Sequence, residues 1–345
     1  LVFTAMSALN ILFVLGLVGW LPAKSGRWVI GFISAFFLLI AALSPWLFIR
    51  PAYQASVASG SSCSVANCLT DEASTFGEQL QLLGYEFAAA DGQIEPGDSV
   101  DVVLEWRVNE TTARDWSVFV HLNDPVLGVP IAQRDMYLGQ GLRPTSLLEA
   151  GDKVTNRYRL QIPRTAVSPA ALQLTVGLYD FYSGERLPLS AEQDTIMLAE
   201  LPLESRVGET PNPISVNFNN QFELVGYQLE PRRTTAAGLV NLTLYWRAME
   251  PASADYTFFA QIVGADTTRW AAADVGQSTS NWSVGEIQAI EMLLTIREDA
   301  PAGIYPLRVG VYLFTEENGF QNLQTVTADG RLTDDFINLT QIRID

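Results

Sequence analysis

Hydrophobic positions follow two regimes along this chain. In the first fifty residues they run on almost unbroken, and neither 1–21 nor 28–49 contains a charge. Each stretch has the roughly 20 residues that a helix needs to cross about 30 Å of hydrocarbon. Beyond Tyr53 the pattern alternates. Val100, Val102, Leu104, Trp106 and Val108 share one phase, and Asp101, Glu105 and Arg107 the other. Leu242, Leu244, Trp246 and Ala248 repeat that phase later. A period of two, rich in β-branched and aromatic residues, predicts half-buried strands. Pro and Gly turns at 95–98, 168–171 and 300–305 punctuate them. No convincing helical period appears after residue 50.

The strand region also repeats itself. FGEQLQLLGYEF (76–87) aligns with FNNQFELVGYQL (218–229), and VDVVLEWRV (100–108) with VNLTLYWRA (240–248). DWSVFVHL (115–122) aligns with DYTFFAQI (255–262), TSLLEAGD (145–152) with TSNWSVGE (279–286), and LTVGLYDF (174–181) with LRVGVYLF (307–314). Five blocks in one order, roughly 140 residues apart, mark a tandem duplication. Many short strands between turn signals predict a two-sheet sandwich for each copy. The expected fold is therefore a pair of all-β tandem immunoglobulin-like β-sandwich domains attached to an N-terminal transmembrane α-helical hairpin. Boundaries fall at 1–50 for the two helices (1–21 and 28–49) and 51–75 for a juxtamembrane linker. Residues 76–200 form the first sandwich, 201–215 a second linker, and 216–345 the second sandwich. Two rigid modules joined in this way are expected to reorient as a pair.

Charge divides along the same line. Lys24, Arg27 and Arg50 are the only charges before residue 51, so the rest of the chain carries −20 against a total of −17. So acidic a region argues against nucleic-acid binding. The loop PAKSGR holds both Lys24 and Arg27, which predicts that it is cytoplasmic and that both ends of the hairpin face outward. Residues 1–21 lack the basic flank of a signal peptide, and a second span follows at once. The chain opens at Leu1 inside an apolar run, which reads as a piece of something longer. Cys63 and Cys68 are the only cysteines. Just outside the membrane, in an oxidising compartment, they are expected to form a disulfide that closes a small loop.

Catalytic chemistry is sparse. Nucleophilic triads and zinc sites usually draw on histidine, and the single one, His121, aligns with Gln261 in the second copy. That exchange suggests a structural hydrogen bond. Asp115 recurs as Asp255 before a strand, which fits a capping role. Asp135 and Asp180 are oxygen donors of the kind a calcium ion takes, but no D-x-D-x-D spacing supports a site. We expect no catalytic residue, metal or cofactor. Trp106 and Trp246 share the inward phase and belong to cores. Trp116, Trp270 and Trp282 have weaker core arguments and are the candidate exposed platforms for stacking a sugar.

Arg50-Pro51-Ala52-Tyr53 at the end of a span precedes Phe76-Gly77, Leu82-Leu83-Gly84-Tyr85, Trp106-Arg107, Phe119-Val120-His121-Leu122, Pro144-Thr145-Ser146 and Val176-Gly177-Leu178-Tyr179-Asp180. This set resembles the C-terminal region of bacterial membrane glycosyltransferases of the dolichyl-phosphate-mannose–protein mannosyltransferase-like superfamily. The resemblance covers nearly the whole chain, but only the accessory part of that family. It implies that catalytic acids would lie in a membrane domain preceding these residues. It also implies that the parent moves sugar from a polyprenyl-phosphate carrier while these domains hold acceptor or glycan. The partners implied are the lipid bilayer, the preceding membrane domain or other membrane subunits, and a glycan. Two alternatives stand beside it: a non-enzymatic accessory subunit of a larger membrane complex, and a cell-surface carbohydrate-binding module.

Overall fold

A computed structural model describes residues 23–49, 57–59, 62–69, 74–89 and 93–345. The first expected span, 1–21, lies outside the described residues, as do Arg50 and the Pro51-Ala52-Tyr53 motif.

Helix α1 runs Ala23–Ser44 and ends in a π-helical turn, Pro45–Ile49. Pro45 has no N–H to continue the ladder, which accounts for the change of winding there. The helix starts earlier than the hydrophobic run, so the expected basic loop contributes Lys24 and Arg27 to its first turns. No helix among the described residues is long and apolar enough to cross a membrane. The charge-free α-helical part, 28–44, is about 25 Å long at 1.5 Å per residue, short of the roughly 30 Å of a hydrocarbon core. Trp28, Phe32, Leu38 and Leu39 on this helix are all exposed.

Residues 57–345 form a separate compact unit, mostly antiparallel β-sheet, with two hydrophobic cores. Its first half contains β1 (Val57–Ser59), β2 (Asn67–Cys68), β3 (Thr75–Phe76), β4 (Leu80–Ala89), β5 (Ser99–Val108), β6 (Trp116–Asp124), β7 (Val129–Tyr137), β8 (Asp152–Gln161), β9 (Ala170–Asp180) and β10 (Thr195–Leu203). One sheet has the order β1-β8-β5-β4-β2, with β3 against β4; the other is β10-β9-β6-β7. The second half contains β11 (Val216–Phe218), β12 (Phe222–Glu230), β13 (Arg233–Thr234), β14 (Leu239–Ala248), β15 (Thr257–Val263), β16 (Arg269–Gly276), β17 (Ile287–Thr295), β18 (Gly303–Thr315), β19 (Gly319–Asn322), β20 (Thr325–Val326) and β21 (Ile337–Ile344). Its sheets run β17-β14-β12-β11-β20 and β13-β21-β18-β15-β16, with β19 against β18. The central orders correspond strand for strand: β8-β5-β4 with β17-β14-β12, and β10-β9-β6-β7 with β21-β18-β15-β16.

The alternation on β5 and β14 puts Val102, Leu104 and Trp106, and Leu242, Leu244 and Trp246, into the two cores. Facing them are the inward residues of the second sheets, Val118, Val120 and Leu122 in one copy and Phe258, Ala260 and Ile262 in the other. Each half therefore has sandwich character, with a core between two sheets.

The glycine of the repeated Leu-Gly-Tyr block has a specific task. Both β4 and β12 shift register there, between Leu82 and Gly84 and between Leu224 and Gly226. A Cβ on Gly84 would sit 2.5 Å from Asn67 O and 2.7 Å from Cys63 Sγ, and one on Gly226 would sit 2.7 Å from Pro211 O. The segment that precedes each copy lies across its glycine as a strap. In the first copy the strap is the loop closed by the Cys63–Cys68 disulfide. In the second it is the expected linker, where Tyr227 N donates to Pro211 O at 3.1 Å and Thr210 Oγ1 to Val225 O at 2.9 Å.

This strap and an interface join the two sandwiches. Asn212 accepts from Ser168 N at 3.0 Å and donates to Tyr227 O at 3.1 Å, so it touches both copies. Tyr227 Oη donates to Thr165 O at 2.6 Å, and Arg343 Nη1 to Leu127 O at 2.9 Å. Arg232 and Asp124 form an ion pair across the interface, with side chains 11% and 3% exposed. Polar groups this dry need partners, and each finds its partner in the other sandwich. The chain between them takes part in these bonds through Thr210, Pro211 and Asn212.

Candidate functional site

The three tryptophans proposed as exposed platforms are packed instead. Trp116 is buried in the first core; its Nε1 donates to Gln79 Oε1 at 3.0 Å and the Arg114 guanidinium lies 5.0 Å from its ring. Trp282 is half-buried, stacked on Phe258 with centroids 5.5 Å apart. Trp270 is half-buried between Tyr305 and the Arg297 guanidinium. All three follow turns, where sequence phase says little about burial. The acids marked in the sequence serve loops. Asp115 and Asp255 accept from Ser146 N and Ser280 N at 3.1 and 3.0 Å. Asp180 accepts from Tyr182 N and Ser183 N at 2.9 and 2.8 Å, and those bonds hold its carboxyl below the usual range.

The outward face of the second sheet is where chemistry collects, and it does so in both copies. On β6 the outward residues are Ser117, Phe119 and His121; on β15 they are Thr257, Phe259 and Gln261. Phe119 pairs across to Asp135 on one side and to Gly177 on the other. Phe259 pairs in the same register to Asp274 and Gly310. A Cβ on Gly177 would lie 2.7 Å from Phe119 Cε1, and one on Gly310 would lie 2.6 Å from Phe259 Cε1. The glycine of the repeated Val-Gly-x-Tyr block is therefore the bed for a phenylalanine ring. That ring lies on the outward face yet is nearly buried.

Two residues further along, Tyr179 and Tyr312 stand beside these rings, each with its centroid 6.2 Å from the phenylalanine. Tyr179 Oη donates to Asp135 Oδ2 at 3.2 Å. Burial first, then the Asp135 charge, raises the Tyr179 phenol; burial and then Asp274 raise Tyr312. Both phenols therefore stay protonated as hydrogen-bond donors at neutral pH. His121 Nε2 lies 3.5 Å from Asp135 Oδ1 at the edge of this set.

The copies differ at the rim. In the first, the Arg186 guanidinium covers the Phe119 ring at 4.7 Å and pairs with Asp194 at 3.3 Å. In the second, the face opens into a cleft of about 520 Å³ whose lining includes Phe259, Gln261, Asp274, Tyr312, Phe320 and Asn322. Phe320 is 71% exposed and stands edge-on to Tyr312 at 5.2 Å. A phenol, an amide and carboxylates set beside one exposed aromatic ring, Phe320, are suited to a ligand with apolar faces and hydroxyl edges.

No protein-family model and no curated protein matches the chain. Among solved structures it is similar to the C-terminal domain of wzt, at 13% identity over 41% of this chain and 82% of that one, with a TM-score of 0.26. It is also similar to a protein of Corynebacterium diphtheriae described as membrane-anchored, at 10% identity over 76% of this chain and 58% of that one, with a TM-score of 0.26. A third is dimeric latent PorU of Porphyromonas gingivalis, at 12% identity over 78% of this chain and 20% of that one, with a TM-score of 0.20.

Proposed function

We propose that this chain is a membrane-anchored, extracytoplasmic, non-catalytic region whose two immunoglobulin-like sandwiches hold a glycan. On this reading it is the accessory part of a glycosyltransferase that draws sugar from a lipid carrier. The observation that carries the glycan is the duplicated outward-face set Phe119–Asp135–Tyr179 and Phe259–Asp274–Tyr312, each laid on a glycine. Core packing asks for none of these side chains, because they point away from both cores, yet the set recurs in one register. A sugar ring offers an apolar face to exposed Phe320 and hydroxyls to the phenol, amide and carboxylate. The apolar side chains exposed along α1 and the disulfide beyond it support a tether ending in an oxidising compartment.

The test is a panel of oligosaccharides titrated into the full chain in detergent, read by calorimetry. Affinity at each face should fall roughly fivefold when Tyr179→Phe and Tyr312→Phe are combined, since each removes from its own face a hydrogen bond worth about 1 kcal/mol. A panel in which no oligosaccharide binds, or affinity unchanged in the double variant, would remove the proposal.

A further inference from the structure

The cleft of the second copy contains two charges that the first copy lacks. Arg269 comes from the start of β16 and Arg308 from the middle of β18, and both line the 520 Å³ cleft. By register, Arg308 stands opposite Gln261 and Arg269 opposite Val263. The matching places in the first copy are Thr175, opposite His121, and Pro130, opposite Asn123. The fold is built without either guanidinium, so neither is required by the sandwich.

Acids outnumber bases 38 to 21, and most arginines sit against a carboxylate, as Arg159 does against Asp101 at 2.7 Å and Arg233 against Asp345 at 2.6 Å. Among the described residues, neither Arg269 nor Arg308 takes part in an ion pair. The carboxylates that share the cleft with them are held by neutral donors: Asn322 Nδ2 donates to Asp335 at 2.8 Å, and Asp274 lies against the Tyr312 phenol. Arg308 Nε donates to Asn338 Oδ1 at 3.3 Å, and its Cζ lies 4.5 Å from the centre of the Phe336 ring. With Nε on Asn338 and Cζ against the Phe336 ring, the two Nη groups have no carboxylate partner among the described residues, an arrangement suited to a two-oxygen anion.

We infer that the second-copy cleft takes an anionic glycan, its carboxylate or phosphate ester recognised by Arg269 and Arg308, while the first-copy face takes neutral sugar. This rests on the glycan reading above and names the class of sugar. The net charge of −17 opposes an anion at long range, but at physiological salt that repulsion is screened beyond about 8 Å. Contacts inside the cleft act at shorter distances and are screened less.

The experiment uses the full chain in detergent at roughly 0.15 M salt. Three sets of oligosaccharides of equal length are titrated: neutral hexose oligomers, uronate oligomers and oligomers bearing a phosphate monoester. The inference expects one or both acidic sets to bind about tenfold tighter than the neutral set, an edge of one charge-assisted hydrogen bond or more. Whichever acidic set binds identifies the source of the charge. Combining Arg269→Gln with Arg308→Gln should erase that preference, bringing the acidic sets to the affinity of the neutral set, while Arg308→Lys should keep part of it. Both side chains reach solvent, and an unchanged unfolding midpoint would show the variants folded. Equal binding of neutral and acidic sets, or a preference that survives in the double variant, overturns the inference and leaves the glycan reading standing. Binding of none overturns both.

Discussion

The recurring glycines show what a single residue can decide here. Gly177 and Gly310 hold no unusual backbone angle; their value is the missing Cβ, which leaves room for the ring of Phe119 or Phe259. Adding a methyl at Gly310 would press on Phe259 Cε1 at 2.6 Å and on Asp335 O at 3.0 Å. The ring has to turn outward, because the backbone on its other side cannot yield. Gly310→Ala should therefore destabilise the second sandwich by about 1–3 kcal/mol, as overpacking does. Combining it with Phe259→Leu should return part of that loss, read as the midpoint of urea unfolding. A double variant no better than Gly310→Ala would show that the ring is not what the glycine accommodates. These glycines recur in the aligned blocks, so their importance was visible in the sequence. Their partners were not, since the ring they receive lies on a neighbouring strand some fifty residues away in the chain. The tryptophans went the other way. Trp116 and Trp282 follow turns, where alternation has no phase to offer, and only the packing reveals that both are covered.

At the level of elements, strand identity was legible because each inward phase is apolar without exception on β5 and on most of β14. Segments lacking any phase have structure that alternation does not predict. The stretch around Cys63–Cys68 and the stretch around Thr210–Asn212 have no alternation because each lies across a glycine at a strand bulge. Hydrogen bonds to main-chain atoms hold them, and those bonds leave no pattern in side-chain type. The first strap is also fastened by charge. Glu105 accepts from Ser64 N at 2.7 Å and from the Ser64 hydroxyl, and Lys153 Nζ lies 3.1 Å from it while donating to Ser62 O at 2.7 Å. Burial by itself would raise the Glu105 carboxyl, but the Ser64 bonds and Lys153 outweigh it and hold it below the usual range. A depressed carboxyl contributes stability that is complete above its unfolded value, roughly 4.3, and is lost as pH falls through the lower folded value. The strap should therefore loosen below about pH 4, before the core strands do. Hydrogen exchange of the amides at 62–69, compared between neutral and acid solution, would show this. Glu105→Gln should make their protection weaker at neutral pH and nearly independent of pH in the acid range. Protection that persists unchanged into acid would mean that the carboxylate does not fasten the strap.

For the whole molecule, the question is whether the two sandwiches act singly or as one body. The residues between the copies are rich in Pro, Glu and Ser, which in the sequence reads as a linker. The interface is invisible to that reading because its ion pair joins residues 108 positions apart and its other bonds end on carbonyls. Asp124 is also tied to its own turn, accepting from Val126 N at 2.8 Å, so it cannot swing to solvent if Arg232 is lost. Removing one partner of a buried pair leaves an uncompensated charge and costs about 3–5 kcal/mol. Arg232→Ala should therefore part the sandwiches, whereas pairing Arg232→Leu with Asp124→Leu should be far milder, because it leaves no charge behind. Spin labels on cysteines placed at the exposed sites Ala113 and Glu317 would report the separation; both native cysteines are bonded to each other and do not compete. One narrow distance is expected in the native chain and in the double-leucine variant, and a broad distribution in Arg232→Ala. A broad distribution in the native chain would dissolve the single body. A single body has consequences for the proposed function. Two glycan faces held at a constant separation bind one polymer with an effective concentration set by geometry rather than by a linker. Arg232→Ala should then weaken a long glycan spanning both faces while leaving a short oligosaccharide at either face unaffected.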